Sequence, residues 1–365
     1  MDTTTARRSF RVYDPEEDHL QFWLEEYLGH LEEEDRPNEE LKKTRRMLQR
    51  FVDQQMERYS HDKVTAVVTR DVNAWLAKLY AKKEHGGFGF APSYVNGHQV
   101  ALSSFIKWLQ IRVPHLMKEN PMKGAQGIHY YPEPEGRALL PQQILSLKNI
   151  CDRLEYFHLK TDRRRMRGMT ELKSNARPIR DRAIVYVGLS TGLRRHELVM
   201  IGLDQVVPND PEKLRVARGA KIVRVRGKRK TERTVFLSVD ARAALADYLE
   251  KERPMDATSE TTALFLSAIG AAKRKPDGQM HPRSVNKILE QIGIWHDAEI
   301  ADSSRHISPL KPHDLRHSCA SELRRNNSEM TDEDIMQLMG WRDKEQIPRY
   351  TRAKEELIAS FVEGL

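Results

Sequence analysis

The chain opens with four stretches in which apolar residues recur at helical spacing, and no strand pattern intervenes before a run dense in proline and glycine ends the series. The first, from Pro15 onward, carries Leu20, Trp23, Leu24, Tyr27, Leu28 and Leu31 and stops at Pro37. The second starts near Asn38 and sets Leu41, Met47, Leu48, Phe51, Val52 and Met56 on one stripe. A third begins near Thr69, whose hydroxyl is placed to cap the amides ahead of Val72, Trp75, Leu76 and Leu79. After a glycine-rich turn at 86–92, the fourth runs from Ser93 to Arg112 through Val95, Val100, Leu102, Phe105, Ile106 and Leu109. Helices of this kind can bury their apolar faces only on one another, so residues 14–118 are expected to form a small helical bundle. Residues 1–13 read as a short tail, with no separate domain expected ahead of Pro15. Residues 119–138, with Pro121, Gly124, Gly127, Pro132, Pro134 and Gly136, read as a linker.

Residues 139–365 have a different pattern. A helix is expected from Gln142 through Ile144, Leu145, Leu147, Ile150 and Leu154. The basic run that follows, with Arg163, Arg164, Arg165, Arg167 and Lys173, reads as a loop. Such charge runs are ordinarily solvated surface, and the alternative is a loop laid along a nucleic-acid backbone. Residues 180–201 read as a buried helix, a turn at Ser190-Thr-Gly-Leu and a second helix from about Arg194. Strand composition marks Leu214–Arg218, Lys221–Arg226 and Thr234–Leu237, the last two joined by a turn at 227–233. Helices are expected at about 239–252, 282–292, 313–325, 331–339 and 353–363. The fold class predicted is therefore mainly α with a small antiparallel β-sheet (α+β).

At 365 residues the chain is long enough for two domains that each bury a core. Its 61 Lys and Arg against 53 Asp and Glu leave a charge of +8, which favours a polyanionic partner. Cys151 and Cys319 stand far apart, so free thiols are expected rather than a disulfide framework. No apolar run approaches the ~18–20 residues that span a bilayer, and the N-terminus lacks a signal peptide's apolar core, so a cytoplasmic protein is expected.

Arg194 follows a glycine turn at a helix start, where backbone amides and a guanidinium can converge on one anion. Glu197, one helical turn on, is placed to orient a basic neighbour. His313 shares a helix face with Arg316 and with His317, three and four positions away. Trp341 and Tyr350 follow, the latter in a segment holding Pro348 that reads as irregular. A basic pocket can neutralise the oxygens of a phosphodiester as charge builds, and a tyrosine hydroxyl can displace one of its ester oxygens.

Taken together, Thr191-Gly-Leu-Arg194-x-x-Glu197-Leu, Val225-x-Gly227-Lys228, Pro312-His313-x-x-Arg316-His317, Leu338-Met-Gly-Trp341 and Tyr350 resemble the tyrosine recombinases, or phage integrase family. The helical first part resembles that family's core-binding domain, the DNA clamp that accompanies a catalytic domain, here 139–365. The resemblance implies a site-specific DNA recombinase, integrase or transposase. In such an enzyme Arg194 and Arg316 clamp the scissile phosphate and Tyr350 attacks it, leaving a 3′-phosphotyrosine and a free 5′-hydroxyl on the way to a Holliday junction. Lys228 is implied as the general acid and His313 as proton acceptor or phosphate donor. Trp341 stands where most members carry His, and its indole can donate one hydrogen bond but cannot transfer a proton. Glu197 matches the family's acidic position beside the first arginine, and His317 belongs to the same motif. The hairpin is one residue shorter than in many members, which leaves Lys230 as a competitor to Lys228, and Phe236 stands where proline is common.

No cofactor and no metal are expected, because a phosphotyrosine conserves the energy of the cut bond. The partners implied are a double-stranded DNA recombination site and further copies of the chain, two on one site and four in the synapse. They would be joined by a C-terminal helix at 353–365 with its stripe of Leu357, Ile358, Phe361, Val362 and Leu365. Three other readings share some of these residues. A type IB topoisomerase uses the same chemistry, and a catalytically silent relative would keep only DNA binding. A zinc hydrolase would use His313 and His317, with Cys319 near by.

Overall fold

The computed structural model describes residues 18–128, 137–165, 175–227, 231–272 and 274–341, with backbone alone over 161–165. Lys228, Lys230, Arg167, Lys173, Tyr350, the tail at 1–13 and the C-terminal helix expected at 353–365 lie outside the described residues, as do the side chains of Arg163, Arg164 and Arg165. The chain forms two compact units, Met1–Glu133 and Pro134–Leu365.

The first unit holds α1 (Leu20–Glu33), α2 (Asn38–Tyr59), α3 (Thr69–Tyr80) and α4 (Pro92–Arg112). Their stripes meet in one core around Leu20, Trp23, Phe51, Trp75, Leu102 and Phe105, with the Phe51 and Trp75 rings edge to face at 5.1 Å. Two residues that the sequence places on those stripes are exposed instead: Met56, in the last turn of α2, and Val100, on the outer side of α4. Their spacing puts them at the margin of the apolar arc, where burial depends on what lies opposite. The cap of α3 also differs. Asp71 accepts the Val68 amide at 3.2 Å and the Tyr59 hydroxyl at 2.6 Å, while the Thr69 hydroxyl turns away and donates to the Lys123 carbonyl at 3.2 Å. Residues 113–128 are held to this unit. Val113 and Met117 are in its core, Met122, Ala125 and Ile128 pack against it, and Asn96 makes hydrogen bonds to both backbone groups of Ile128.

The second unit is mainly helical with a three-stranded antiparallel sheet whose strands lie side by side in chain order. It begins with α5 (Pro141–Cys151), α6 (Leu154–Arg165) and α7 (Pro178–Thr191). The basic run expected as a loop is thus helical as far as Arg165. Buried Leu154 and Phe157 fix the start of α6 against the core. Around α7 every residue from Ala183 to Val187 is buried, which explains why its sequence shows no polar face.

After α8 (Arg195–Met200) come β1 (Val206–Val207), α9 (Pro211–Val216), β2 (Lys221–Arg226) and β3 (Glu232–Phe236). The segment around Leu214, whose composition predicts a strand, is a helical turn and a half. Asp210 accepts the Lys213 amide at 2.9 Å and Pro211 presets the first helical φ, local signals that outweigh a short apolar alternation. The β2–β3 pairing skips one residue between Ile222 and Val225, with Arg224 at φ +53°, a bulge held by the Gln205 amide donating to Val223 and Arg224 carbonyls at 2.8 Å each.

Then follow α10 (Val239–Lys251), α11 (Arg253–Asp256), α12 (Pro282–Glu299), α13 (Pro312–Asn326) and α14 (Asp332–Met339). Proline opens α4, α5, α7, α9, α12 and α13, where its missing N–H costs no hydrogen bond. One polar staple leads directly toward α13. Fully buried His296 sits 2.8 Å from the Ser146 hydroxyl and 2.9 Å from Asp297, whose carboxylate accepts the Ile307 and Ser308 amides. Cys151 and Cys319 are free and buried, and among the described residues no helix is long and apolar enough to cross a membrane.

Candidate active site

Two chain reversals and the start of α13 build the site in the second unit. Helix α7 ends at Gly192, whose φ of +59° is the left-handed conformation a helix C-cap favours. A Cβ at this position would lie 2.6 Å from Met339 Cε, 2.8 Å from Met339 Sδ and 3.3 Å from Cys319 Sγ. The conformation favours glycine, and a side chain there would also have to displace the buried end of Met339. Gly192→Ala is expected to lower the unfolding free energy by about 2–3 kcal/mol from left-handed strain plus overpacking, read in urea titrations of the full chain. A loss under about 1 kcal/mol would show that the reversal tolerates a side chain.

The reversal delivers Arg194 to the N-cap of α8. Its amide donates to Glu197 Oε2 at 2.8 Å and its Nη1 to Glu197 Oε1 at 2.9 Å. The side chain stays 29% exposed, so part of the guanidinium remains open to an incoming anion. Helix α13 carries the second basic group. Asp314 accepts the Lys311 amide at 2.8 Å and the Arg137 amide at 3.0 Å, which fixes the helix start, and the Leu139 amide donates to the Ser318 hydroxyl at 2.9 Å. Arg316 is 1% exposed, and its guanidinium donates to the carbonyls of Gly192 and Met339. His313, in the first turn of α13, is half-buried, and His317 is buried.

Helix α14 ends in the second reversal, at Gly340 with φ +63°. Arg194 Nη2 reaches the Gly340 carbonyl at 3.5 Å, the long limit of a hydrogen bond. The Trp341 amide donates to Met336 O at 2.9 Å, and the indole lies buried with its ring centre 5.7 Å from the Arg316 guanidinium carbon. Arg194 and Arg316, 122 positions apart in sequence, thus grip neighbouring carbonyls of one turn, and that turn runs straight into the residues leading to Tyr350.

Arg233 on β3 is a site residue that the sequence does not single out. Its side chain is 8% exposed and donates to both oxygens of Glu197, at 3.1 and 2.8 Å, and through Nε to Leu338 O at 3.0 Å. The signal is faint: an arginine ending a hairpin turn reads as solvated charge. Burial pushes the Glu197 carboxyl up, but hydrogen bonds and charge from Arg233, with a smaller share from Arg194, hold it below its ordinary value. Its contribution to stability is therefore present above the usual carboxylate range and is lost as pH falls through the depressed value.

Beside Arg194 lies an open groove of about 860 Å³ between α8 and the β2–β3 hairpin, bordered by His196, Gln205, Arg224 and Gly227. Among the described residues no group of three His, Cys, Asp or Glu side chains is placed to hold a metal ion, so His313 and His317 have no third ligand there.

A model of the phage integrase family matches residues 164–356, more than half of the chain. The chain belongs to the phage integrase family, the tyrosine recombinases. Its relatives include the tyrosine recombinase XerC of Lactobacillus delbrueckii subsp. bulgaricus, 27% identical over 175 residues that make up 47% of this chain and 50% of that protein. XerC of Vibrio cholerae serotype O1 is 28% identical over 268 residues, 73% of this chain and 69% of the relative. The chain spans about half the length of the Lactobacillus relative. Among solved structures, the XerH site-specific recombinase bound to a palindromic difH substrate superposes with a TM-score of 0.63 at 13% identity, covering 88% of this chain and 79% of that one. The Tn1549 transposon integrase in complex with transposon right-end DNA gives 0.62 at 15% identity, covering 95% and 99%. At these identities the likeness establishes the tyrosine recombinase fold, mainly helical with one small antiparallel sheet.

Proposed function

We propose that this tyrosine recombinase cuts and rejoins double-stranded DNA at a specific site through a 3′-phosphotyrosine intermediate. In this reading the Tyr350 phenolic oxygen bonds to phosphorus as the bond from phosphorus to the 5′ oxygen breaks. The leaving oxygen takes a proton from Lys228 or Lys230 and departs as a 5′-hydroxyl. Attack of a 5′-hydroxyl from a second duplex reverses the step, forms the Holliday junction and restores the phenol. The two half-reactions exchange one ester for another, so neither ATP nor a metal has to supply energy.

Arg194 and Arg316 hold the non-bridging oxygens in this scheme, with fixed guanidiniums that remain charged at any working pH. His313 accepts the proton that the Tyr350 phenol gives up as it attacks, or donates a hydrogen bond to the phosphate, and Trp341 supports Arg316 through its ring face and a single N–H. His317 and Glu197 position those groups. Arg163, Arg164, Arg165, Arg167 and Lys173 lie along the DNA backbone. The helical first unit binds the duplex as a clamp. Copies of the chain assemble on DNA, two per site and four in a synapse, through the 353–365 segment.

The observation that carries the reading is the meeting of Arg194 and Arg316 on the consecutive carbonyls of Met339 and Gly340. Two cations are brought to one small volume, with Arg194 still partly open to solvent. The test is incubation of the full-length protein with a duplex that the protein itself selects from a random pool, nicked so that the released 5′ fragment diffuses away. A detergent-resistant adduct on the 3′ phosphate is the expected result. Bound DNA with no adduct, or an adduct on the 5′ phosphate, would overturn the reading.

A further inference from the structure

Three consecutive carbonyls at the end of α14 are each taken by a different arginine. Arg233 from β3 binds Leu338 O, Arg316 from α13 binds Met339 O, and Arg194 from the start of α8 reaches Gly340 O. The last carbonyls of a helix carry the negative end of its dipole and have no partner inside the helix, so cations gather there. The three arginines differ in what remains open. Arg316 is fully enclosed, Arg194 is 29% exposed, and Arg233 is buried with three of its donors committed to protein groups.

Resting on the recombinase reading above, we infer that Arg233 is a positioning residue for strand cleavage, locking the hairpin strand, the first clamp arginine and the turn before Tyr350 into one arrangement. Its planar fork meets both oxygens of Glu197, the same carboxylate that holds the amide and Nη1 of Arg194. Its flat side lies against Gly340, where a Cβ would stand 3.0 Å from Nη1, 3.2 Å from the guanidinium carbon and 3.3 Å from Cδ. Arg233 therefore touches two of the three segments that meet at the site and sits on the strand of the third.

The consequence is electrostatic as well as geometric. With Arg233 neutralising it, Glu197 needs only part of the Arg194 guanidinium, which leaves the remaining donors for a phosphate. Without Arg233, a buried carboxylate would be left to Arg194 alone. It would draw that guanidinium back toward itself and away from the scissile group. The Leu338 carbonyl would lose its donor at the same moment, and the turn would lose one of its three anchors. Both changes act on the reacting geometry, and neither removes a contact with the DNA backbone.

The test compares wild type, Arg233→Gln and Arg233→Lys, each as the full chain, on the self-selected nicked duplex described above. The readouts are single-turnover adduct formation, Kd for the same duplex and thermal unfolding. Arg233→Gln is expected to slow adduct formation by about a hundredfold, the scale of a small misplacement of reacting groups, with Kd within about threefold of wild type. Arg233→Lys keeps the charge but cannot bridge Glu197 and Leu338, so its rate should fall between the two. If Arg233→Gln does not fold, the rate against Kd in Arg233→Lys decides between support and refutation. A folded variant cleaving at the wild-type rate overturns the inference alone, as does a Kd that weakens in step with the rate. Absence of an adduct with wild type overturns the recombinase reading and the inference with it.

Discussion

Arg316→Ala is expected to slow strand cleavage by at least about a thousandfold, the upper end of what losing one preorganised donor to a developing oxyanion costs. The side chain holds two backbone carbonyls from segments far apart in sequence, and its charge sits in a buried site where screening by water is weak. In the proposed mechanism, removing it takes a fixed cation from the phosphate, and in the structure it takes the donor from Gly192 O and Met339 O. Each orphaned carbonyl costs about 1–3 kcal/mol, so a fall in stability should accompany the loss of rate. Arg316→Lys separates the two effects. A single ammonium can satisfy one carbonyl but cannot span two and still face an oxyanion, so stability should return in part while the rate stays more than about a hundredfold down. Single-turnover adduct formation and urea unfolding on the same preparations check this. Cleavage by Arg316→Ala within tenfold of wild type would remove Arg316 from the proposed clamp.

Asp256→Ala is expected to destabilise the chain strongly without slowing cleavage. Asp256 is fully buried and takes Arg177 Nε at 2.6 Å, Arg177 Nη2 at 2.7 Å and the Ile269 amide at 2.8 Å. Arg177 is itself 5% exposed. Around the pair, Arg180 binds Asp181 and the Leu266 carbonyl, Glu252 accepts the Ile179 and Arg180 amides, and Arg253 binds the Ala263 and Leu264 carbonyls. This hub ties the start of α7 and the end of α10 to the segment that follows α11. Removing one member of a buried ion pair costs about 3–5 kcal/mol, because the other charge is left in a site that cannot solvate it. A change below about 1 kcal/mol in urea unfolding of the full chain would mean that water reaches Arg177. The substitution is remote from Arg194 and Arg316 in sequence, and the partners of Asp256 named above, Arg177 and Ile269, are not the groups that those two arginines hold, Glu197, Gly340, Gly192 and Met339, so cleavage per folded molecule should stay near wild type.

Much of the fold is legible in the sequence because burial imposes period. The stripes through Trp23, Trp75 and Phe105 specify amphipathic helices with no strand competing for them, and the all-apolar run of α7 specifies a helix buried on every side. Expectation and structure part where local chemistry and composition disagree. The arginines of α6 read as loop because charge is usually solvated, yet helix propensity favours arginine and the two buried anchors at Leu154 and Phe157 suffice to hold the turn. The Leu214 segment reads as strand because alternation over four residues also fits one helical turn. Glu197 stands out by its spacing from Arg194, and it does hold that residue. Arg233 escapes notice because its role exists only once β3 lies against the end of α14, a long-range contact that no window of sequence contains.

The residues expected to act on phosphate divide the same way. Arg194 and Arg316 sit beside glycine turns and helix starts whose geometry is local, so their surroundings can be anticipated. Their convergence on the 339–340 turn cannot be read from spacing; it follows from how α7, α13 and α14 pack.

Tyr350 carries the central chemical claim, and peptide mapping of the trapped protein–DNA adduct tests it most directly. After nuclease and protease digestion, mass spectrometry should find a nucleotide on the peptide containing Tyr350, attached through a 3′ phosphate, and Tyr350→Phe should yield no adduct under the same conditions. A nucleotide on any other residue, or an undiminished adduct with Tyr350→Phe, would contradict it.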